Sequence, residues 1–325
     1  MTAEVLARYG PALAGLRWVP VAGGFSGALV WRGDDFALKV YPPHVTPEHV
    51  AQVHAHMRQA SHLPFVPAVV PTTSRATFVT HAGRVWEIVR WMPGEPGLTS
   101  SNRVTNAVVA LAQLHRAWKP SLQQLAPCPG VKRRLDVLLR PPHRHTATPW
   151  KWRSEQPRLT DRTAPDELLS WAADAVSRLS SHAVRALMPW EPRPVPVQPC
   201  ICDVHAEHVL FTGDRVTGVI DFAAMKTDHV AVDLARLLGS ADIDESNFFG
   251  GVSEYQTRAG VPIDPALVRL LDHTGVVCAL AAWAARPAEV LASPRVRERL
   301  AGLLARAEAL APAHFSGAAQ PVFRE

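Results

Sequence analysis

One short segment of the chain concentrates side chains that could carry out chemistry. It reads Cys-Ile-Cys-Asp-Val-His-Ala-Glu-His and contains Asp203, His205 and His208. Another carboxylate, Asp221, directly follows an apolar, β-prone stretch further along the chain. Turn-forming residues at 212–215 separate the two segments, and a hairpin there would bring Asp203, His208 and Asp221 to one end. Carboxylate and imidazole groups placed in this way could hold a metal ion and a reacting hydroxyl group.

The elements that must position these residues begin with a sheet. Over the first ninety residues, apolar β-prone runs alternate with turns, which predicts strands at 17–21, 28–32, 36–41, 76–80 and 84–91. The first three of these strands should form a meander. Thr46-Pro47-Glu48 has a capping hydroxyl, a proline at the first helical position and an acid in the first turn, which predicts a helix from there to Ser61.

The second part of the chain changes to a helical period. The run from Met92 to Gly97 contains two prolines and two glycines, which predicts an end to regular structure and a hinge. Beyond it the apolar spacing predicts helices at 104–118, 165–187, 229–238, 245–259, 265–285 and 295–311. Residues 120–164 are predicted to be irregular, and 200–222 to form strands and loops.

The order of these motifs resembles that of the aminoglycoside phosphotransferase and choline kinase group within the protein-kinase-like superfamily. The catalytic loop of that group reads His-Gly-Asp-x-His-x-x-Asn and is followed by Ile-Asp-Phe or Ile-Asp-Trp. The chain matches this pattern at Asp203, His205, Val209–Phe211 and Ile220–Phe222. Further matches are Gly23–Gly27 as the phosphate-covering loop, Ala37–Val40 as the strand that carries a lysine, and Asp233–Ala235 as a helix start.

The resemblance implies an α+β, two-lobed, protein-kinase-like fold. A small antiparallel-sheet N-lobe would cover residues 1–92 and bind the nucleotide, and residues 93–98 would form the hinge. A larger, mainly helical C-lobe at 99–325 would carry the catalytic loop and the acceptor site. The implied activity moves the γ-phosphate of ATP or GTP to a hydroxyl group of a small molecule, with a divalent metal ion, Mg²⁺ or Mn²⁺, as cofactor.

The resemblance also implies a role for each matching residue. Asp203 would act as the catalytic base toward the acceptor hydroxyl, and His205 would brace the loop. Asp221 would bind the metal ion. Lys39 would place a fixed positive charge at the α- and β-phosphates. On the nucleotide side, glycines let backbone amides approach phosphate closely, and a serine adds a hydroxyl; these residues are Gly23, Gly24, Ser26 and Gly27.

The catalytic loop departs from the family pattern at three positions. Ile201 replaces the first histidine, Cys202 replaces the glycine, and His208 replaces the asparagine that binds metal. An amide oxygen suits the hard Mg²⁺ ion, whereas neutral imidazole suits softer ions such as Mn²⁺. We therefore expect His208 to be a ligand in a modified metal site. A rival zinc site would use Cys200 and Cys202 together with the two histidines.

The helix at 46–61 lacks an obvious partner for Lys39. Kinases usually carry a glutamate in this helix, but the acid here is Glu48, in the first turn, where the helix dipole accounts for it. Gln52 or His54 could hydrogen-bond to the lysine instead, and the sequence leaves this choice open. Loss of both the glutamate and the asparagine keeps open an alternative function, a catalytically degraded protein that only binds nucleotide.

Bulk properties restrict the class of protein. The 325-residue chain is 47% hydrophobic and 19% charged, which predicts a globular protein. Its net charge of +5 is mostly scattered, so a nucleic-acid partner is not expected. Four irregularly spaced cysteines and no apolar run long enough to span a bilayer predict a cytoplasmic protein without a membrane partner. The sequence fixes neither the oligomeric state nor whether the acceptor is an aminoglycoside, amino acid, sugar or choline-like alcohol.

Overall fold

A computed structural model describes residues 3–21, 27–120, 122, 124–140, 164–241, 243–286, 291 and 293–315. The chain divides into two compact units, and each contains segments that are distant in sequence. Unit 1 comprises Met1–Leu122, Gln198–Thr227 and Leu237–Pro262, and unit 2 comprises Gln123–Val197, Asp228–Arg236 and Ile263–Glu325. The predicted boundaries of the lobes and hinge stay a prediction.

Unit 1 begins with a five-stranded antiparallel sheet of order β1-β2-β3-β5-β4. Its strands are β1 (Val19–Val21), β2 (Leu29–Gly33), β3 (Phe36–Val40), β4 (Val79–His81) and β5 (Arg84–Arg90). The predicted meander of the first three strands is therefore confirmed. On one face, Leu38 and Ile88 are fully buried against two short helices that the sequence analysis missed, α1 (Ala3–Ala7) and α2 (Pro11–Ala14).

Helix α3 (Pro47–Gln59) packs on the other face of the sheet, where Val50 joins a core cluster with Tyr41 and Val85. The predicted N-terminus is confirmed, since the Thr46 hydroxyl accepts a hydrogen bond from the backbone of the first turn. Side chains alternate along a strand, so those at 39, 41, 85 and 87 share this face.

The remainder of unit 1 joins a second small sheet to two helices. This sheet has the order β10-β9-β6, with β6 (Glu95–Pro96), β9 (Val209–Thr212) and β10 (Arg215–Val219). Strand β6 corrects the prediction that residues 92–97 lack regular structure, because pairing with β9 supplies hydrogen bonds that a local reading cannot see. The helices α4 (Ser101–Ala117) and α8 (Glu245–Ala259) pack together, close to the predicted bounds.

Unit 2 is mainly helical. Its elements are β7 (Gln124–Pro127), α5 (Pro129–Leu138), α6 (Pro165–Leu187), α9 (Pro265–Ala284) and α10 (Pro294–Glu308). Three further elements have residues in both units: β8 (Pro194–Cys200), β11 (Lys226–Asp228) and α7 (Ala231–Gly239). Strand β7 and helix α5 show that residues 120–164 were wrongly predicted to be irregular at 124–138, because one proline ends a strand and another opens a helix. Residues 141–163 lie outside the described residues.

The expectation that no apolar run is long enough to span a bilayer is corrected by helix α9, the one described helix that is long and apolar enough to cross a membrane. Within unit 2 it packs against α6, and 61% of its most apolar window is buried inside the structure. Burial of this kind is typical of a core helix, which passes the same test of length and composition. The predicted cytoplasmic location stays a prediction.

Candidate active site

The predicted catalytic loop connects β8 to β9 and ends in a 3₁₀ turn, Ala206–His208. Two backbone contacts hold it: the His208 amide donates to the His205 carbonyl at 2.8 Å, and the Ala206 amide donates to the Ser240 hydroxyl at 2.8 Å. Cys202 has a φ angle of +64°. This left-handed conformation explains why the family pattern has glycine there, since a side chain at positive φ is strained.

The ring of His208 is oriented by its own loop. Its Nδ1 atom lies 2.8 Å from the backbone carbonyl oxygen of Asp203. A carbonyl oxygen can only accept, so Nδ1 carries the hydrogen, and in the neutral ring the lone pair is on Nε2. That Nε2 atom lies 3.9 Å from Oδ2 of Asp221. The ring centroids of His205 and His208 are 3.8 Å apart, so the buried His205 supports this orientation.

Asp221 follows β10 and has unusual backbone geometry, with φ 61° and ψ 68°. Aspartate tolerates this left-handed conformation better than most residues, and such strain is found most often at functional sites. The loop and the hairpin are joined beside it, because the Ile220 amide donates to the His208 carbonyl at 2.9 Å. The predicted hairpin thus brings the carboxylate next to the catalytic loop.

Lys39 reaches Asp221 from the five-stranded sheet. Its Nζ atom lies 2.6 Å from Oδ1 of Asp221, although 182 positions separate the two residues in sequence. Burial raises the pKa of this carboxyl, but opposing effects, chiefly the charge and the hydrogen bond of the Lys39 ammonium, outweigh burial and hold the pKa below its usual value. Asp221 is therefore ionised at neutral pH, as a metal ligand must be.

Residues 17–271 match the sequence profile of the phosphotransferase enzyme family, APH. The chain belongs to this family. The resemblance predicted from the sequence is thereby confirmed, and membership of this family of phosphotransferase enzymes implies the use of a nucleotide and a divalent metal ion. No curated protein matches the chain.

Solved structures confirm the fold of this member of the family. Aminoglycoside phosphotransferase from Alicyclobacillus acidocaldarius is 16% identical with a TM-score of 0.57, and the alignment covers 98% of this chain and 95% of that one. A choline/ethanolamine kinase family protein from Mesorhizobium loti is 17% identical with a TM-score of 0.60, and the alignment covers 96% of this chain and 97% of that one. A microcompartment-associated aminopropanol kinase is 15% identical with a TM-score of 0.63, and the alignment covers 98% of this chain and 97% of that one. The predicted α+β, protein-kinase-like fold class is correct.

The residues of the predicted catalytic loop fit a divalent metal ion. One possible ligand atom from each of Asp203, His205 and His208 lies within 4.8 Å of the other two. The Nε2 lone pair of His208 is available on the side of Asp221, because Nδ1 is occupied. The four residues of the rival zinc proposal do not form one group of possible ligands among the described residues, because Cys200 groups instead with the buried His115 and Asp233, and Cys202 belongs to neither group.

The predicted nucleotide loop is described in part. Gly23, Gly24 and Ser26 lie outside the described residues. Gly27 has a φ angle of +75°, which favours glycine, and a Cβ atom added there would meet no atom of the described residues within 4 Å. Its carbonyl accepts a hydrogen bond from Arg84 of β5 at 3.4 Å, so this end of the loop is held against the sheet.

The partner of Lys39 differs from both candidates considered for the helix. Gln52 is exposed, and His54 is fully buried but places Nε2 2.5 Å from Oε2 of Glu87 rather than beside Lys39. Glu87, on β5, was not identified from the sequence. The sequence signal for it was an isolated acid within the apolar run of β5. In the sheet, Glu87 is the cross-strand partner of Lys39.

Proposed function

We propose that this protein transfers the γ-phosphate of a nucleoside triphosphate, ATP or GTP, to a hydroxyl group of a small molecule. The observation that carries the proposal is the contact between Lys39 of the sheet and Asp221 after the hairpin, with His208 beside the same carboxylate. A fixed cation and an ionised carboxylate at one point provide the positioning and charge stabilisation that phosphoryl transfer needs.

On the donor side, Lys39 would contact the α- and β-phosphates, and Asp221 and His208 would hold the metal ion. Bound there, a divalent ion neutralises negative charge on the phosphate oxygens. Lys39 is well placed for this role because 13% of its side chain is exposed, so its charge is fixed by the sheet yet accessible. Gly23, Gly24, Ser26 and Gly27 are proposed to cover the phosphates.

On the acceptor side, Asp203 is proposed as the base that orients the acceptor hydroxyl and takes its proton. Its side chain is partly exposed, whereas its backbone carbonyl is tied to His208. This contact fixes the loop through the backbone of Asp203. His205 is proposed to brace the loop, since its ring packs on that of His208. The acceptor is a hydroxyl-bearing small molecule rather than a protein.

The test is turnover of ATP and GTP, with Mg²⁺ or Mn²⁺, against a panel of amino alcohols, amino acids, sugars and aminoglycosides. With the acceptor that supports turnover, Asp203→Asn should lower kcat by about 10²- to 10⁴-fold without weakening nucleotide binding. Glu207→Gln changes an exposed acid of the same loop and is the matched control, expected to keep activity.

The alternative, a catalytically degraded nucleotide-binding protein, is favoured by one observation, the histidine at 208 in place of asparagine. It predicts nucleotide binding without turnover of any acceptor in the panel. Full activity of Asp203→Asn would overturn the proposed base, and failure to bind ATP or GTP with either metal ion would overturn both candidate functions.

A further inference from the structure

A buried carboxylate lies in the middle of the five-stranded sheet and is not part of the site proposed above. Glu87 is 5% exposed and is the cross-strand partner of Lys39, so the two side chains project from the same face. Burial of a carboxylate costs free energy unless hydrogen bonds compensate, and an apolar residue of similar volume is often at least as stabilising. Packing alone therefore does not account for Glu87.

Two side chains compensate the buried carboxylate of Glu87. The hydroxyl of Tyr41 donates to Oε1 at 2.9 Å, and Nε2 of His54 lies 2.5 Å from Oε2. His54 comes from α3 and is itself completely buried. The helix therefore supplies the imidazole that holds the carboxylate, and the sheet supplies the carboxylate. The acid of that helix, Glu48, is exposed in its first turn.

Tyr41 connects Glu87 to Lys39. Burial, followed by the charge of Glu87, raises the pKa of Tyr41 well above its usual value, so the phenol remains protonated and donates its hydrogen to the carboxylate. The Nζ atom of Lys39 lies over the Tyr41 ring, 4.9 Å from its centroid. Donation to a carboxylate makes a phenol ring richer in electrons, which strengthens its attraction for a cation.

We propose that Glu87 is a positioning residue for phosphoryl transfer, acting through Tyr41 to hold the ammonium group of Lys39 where it meets the nucleotide phosphates. This inference rests on the proposed function, since it assigns phosphate contact to Lys39. The Tyr41 ring and Asp221 approach the same ammonium group. When Asp221 serves as a metal ligand, the ring keeps Lys39 in place. The fixing carboxylate thus comes from strand β5 and not from helix α3.

The experiment compares dissociation constants for ATP with Mn²⁺ and for adenosine, which lacks the phosphates. Glu87→Gln keeps the size of the side chain but removes its charge, and Tyr41→Phe keeps the ring but removes the hydroxyl. Each should raise the Kd of ATP about threefold to tenfold and leave that of adenosine unchanged. In the double variant Glu87→Gln/Tyr41→Phe, the Kd of ATP should be no higher than in Tyr41→Phe alone, because the hydrogen bond from Tyr41 to Glu87 is already lost.

Glu48→Gln is the matched control, because it makes the same charge change at an exposed site of the same unit and should leave both dissociation constants unchanged. Equal weakening of ATP and adenosine binding would overturn the inference in favour of a purely structural role. It would also be overturned by unchanged ATP binding, or by an undiminished effect of Glu87→Gln in the Tyr41→Phe background. Melting temperatures verify folding, and Tyr41→Phe alone decides the question if Glu87→Gln does not fold.

Failure of this inference is separable from failure of the proposed function. The binding pattern above, found in a wild-type protein that turns over no acceptor, would support the positioning of Lys39 and overturn the catalytic proposal. Acceptor turnover together with normal ATP affinity in Glu87→Gln would support the catalytic proposal and overturn the positioning role of Glu87. A wild-type protein without measurable affinity for ATP would overturn both.

Discussion

At the scale of single residues, the most informative group is the imidazole of His208. Its Nδ1–H donates to a backbone carbonyl of the same loop, so Nε2 is available toward Asp221. Imidazole nitrogen is a softer ligand than the amide oxygen of the family pattern and disfavours Mg²⁺ relative to Mn²⁺. The identity of one side chain is thus expected to set the metal preference of the site.

Replacing this residue with the family's asparagine should reverse the preference. In His208→Asn, the ratio of kcat/KM with Mg²⁺ to kcat/KM with Mn²⁺ should rise about tenfold, because the amide oxygen is a hard ligand. Steady-state rates with each metal ion, measured at saturating nucleotide and varied acceptor concentration, give this ratio. His62→Asn, at an exposed histidine of the same unit, should leave the ratio unchanged. An unaltered ratio in His208→Asn would show that His208 is not a metal ligand.

The pair of Lys39 and Asp221 should leave a signature in acid stability. Because the folded pKa of Asp221 is below that of the unfolded chain, its ionisation stabilises the fold above the unfolded pKa, near 3.8. That contribution disappears as the pH falls through the folded pKa. Lys39→Met removes the charge that lowers the pKa, so stability should fall less steeply below about pH 5 than in wild type.

Urea unfolding of wild type and Lys39→Met at several pH values between 3 and 7, with a chelator present, measures this difference. Lys226→Met, at an exposed lysine, controls for loss of one positive charge. Identical acid slopes in wild type and Lys39→Met would mean that the ion pair contributes nothing to folding in solution.

At the scale of elements, the segment after β5 depends on a glycine. Gly94 has a φ angle of +114°, and a Cβ atom there would lie 2.5 Å from the Thr217 hydroxyl and 2.7 Å from the Phe211 carbonyl oxygen. The neighbouring Pro93 carbonyl accepts a hydrogen bond from Thr217 at 2.6 Å. The close approach of this segment to the β9–β10 hairpin therefore leaves no room for a side chain.

Gly94→Ala should lower the free energy of unfolding by at least about 2 kcal/mol, since backbone strain and steric overlap act together. Gly213→Ala is a matched control in the hairpin turn, because its φ of +61° is also left-handed but a Cβ atom would meet open space. It should lose only about 1 kcal/mol, the cost of strain. Denaturant unfolding measures both, and equal losses would contradict the close approach.

At the scale of the whole molecule, the site is made from segments that are distant in sequence but lie in one unit. Lys39 comes from the sheet, and Asp203, His208 and Asp221 come from the loop and hairpin. A ligand that contacts both parts binds only the folded unit. Nucleotide and metal ion together should therefore stabilise the fold by mass action.

ATP with Mn²⁺ at about one hundred times its Kd should add about 2.7 kcal/mol to the stability of the folded state, which raises the melting temperature. Thermal shift assays with ATP and GTP, each with Mg²⁺, Mn²⁺ or chelator, measure the effect. Asp221→Asn should abolish the metal-dependent part of the shift. An equal shift with and without metal ion would contradict the proposed ligand role of Asp221.

The sequence by itself determined the class of fold and the proximity of Asp221 to the loop that carries His208. Apolar residues recur every second position in a strand and about every 3.6 positions in a helix, because backbone geometry sets these periods locally. The elements β3, α3, α4 and α8 therefore appear where they were predicted. The spacing of the loop and hairpin motifs likewise brought Asp221 to His208. Local rules failed at β7 and α5, where prolines were taken to exclude regular structure instead of bounding it.

Only the tertiary structure decided which groups meet across long separations. Lys39 contacts Asp221, and His54 meets Glu87 instead of the lysine, because the helix packs on the sheet at an angle and depth that sequence spacing does not specify. The left-handed backbone at Cys202 is similarly imposed by the contacts of its loop and not by preference of the residue. Local sequence sets the available elements, and long-range packing selects the contacts.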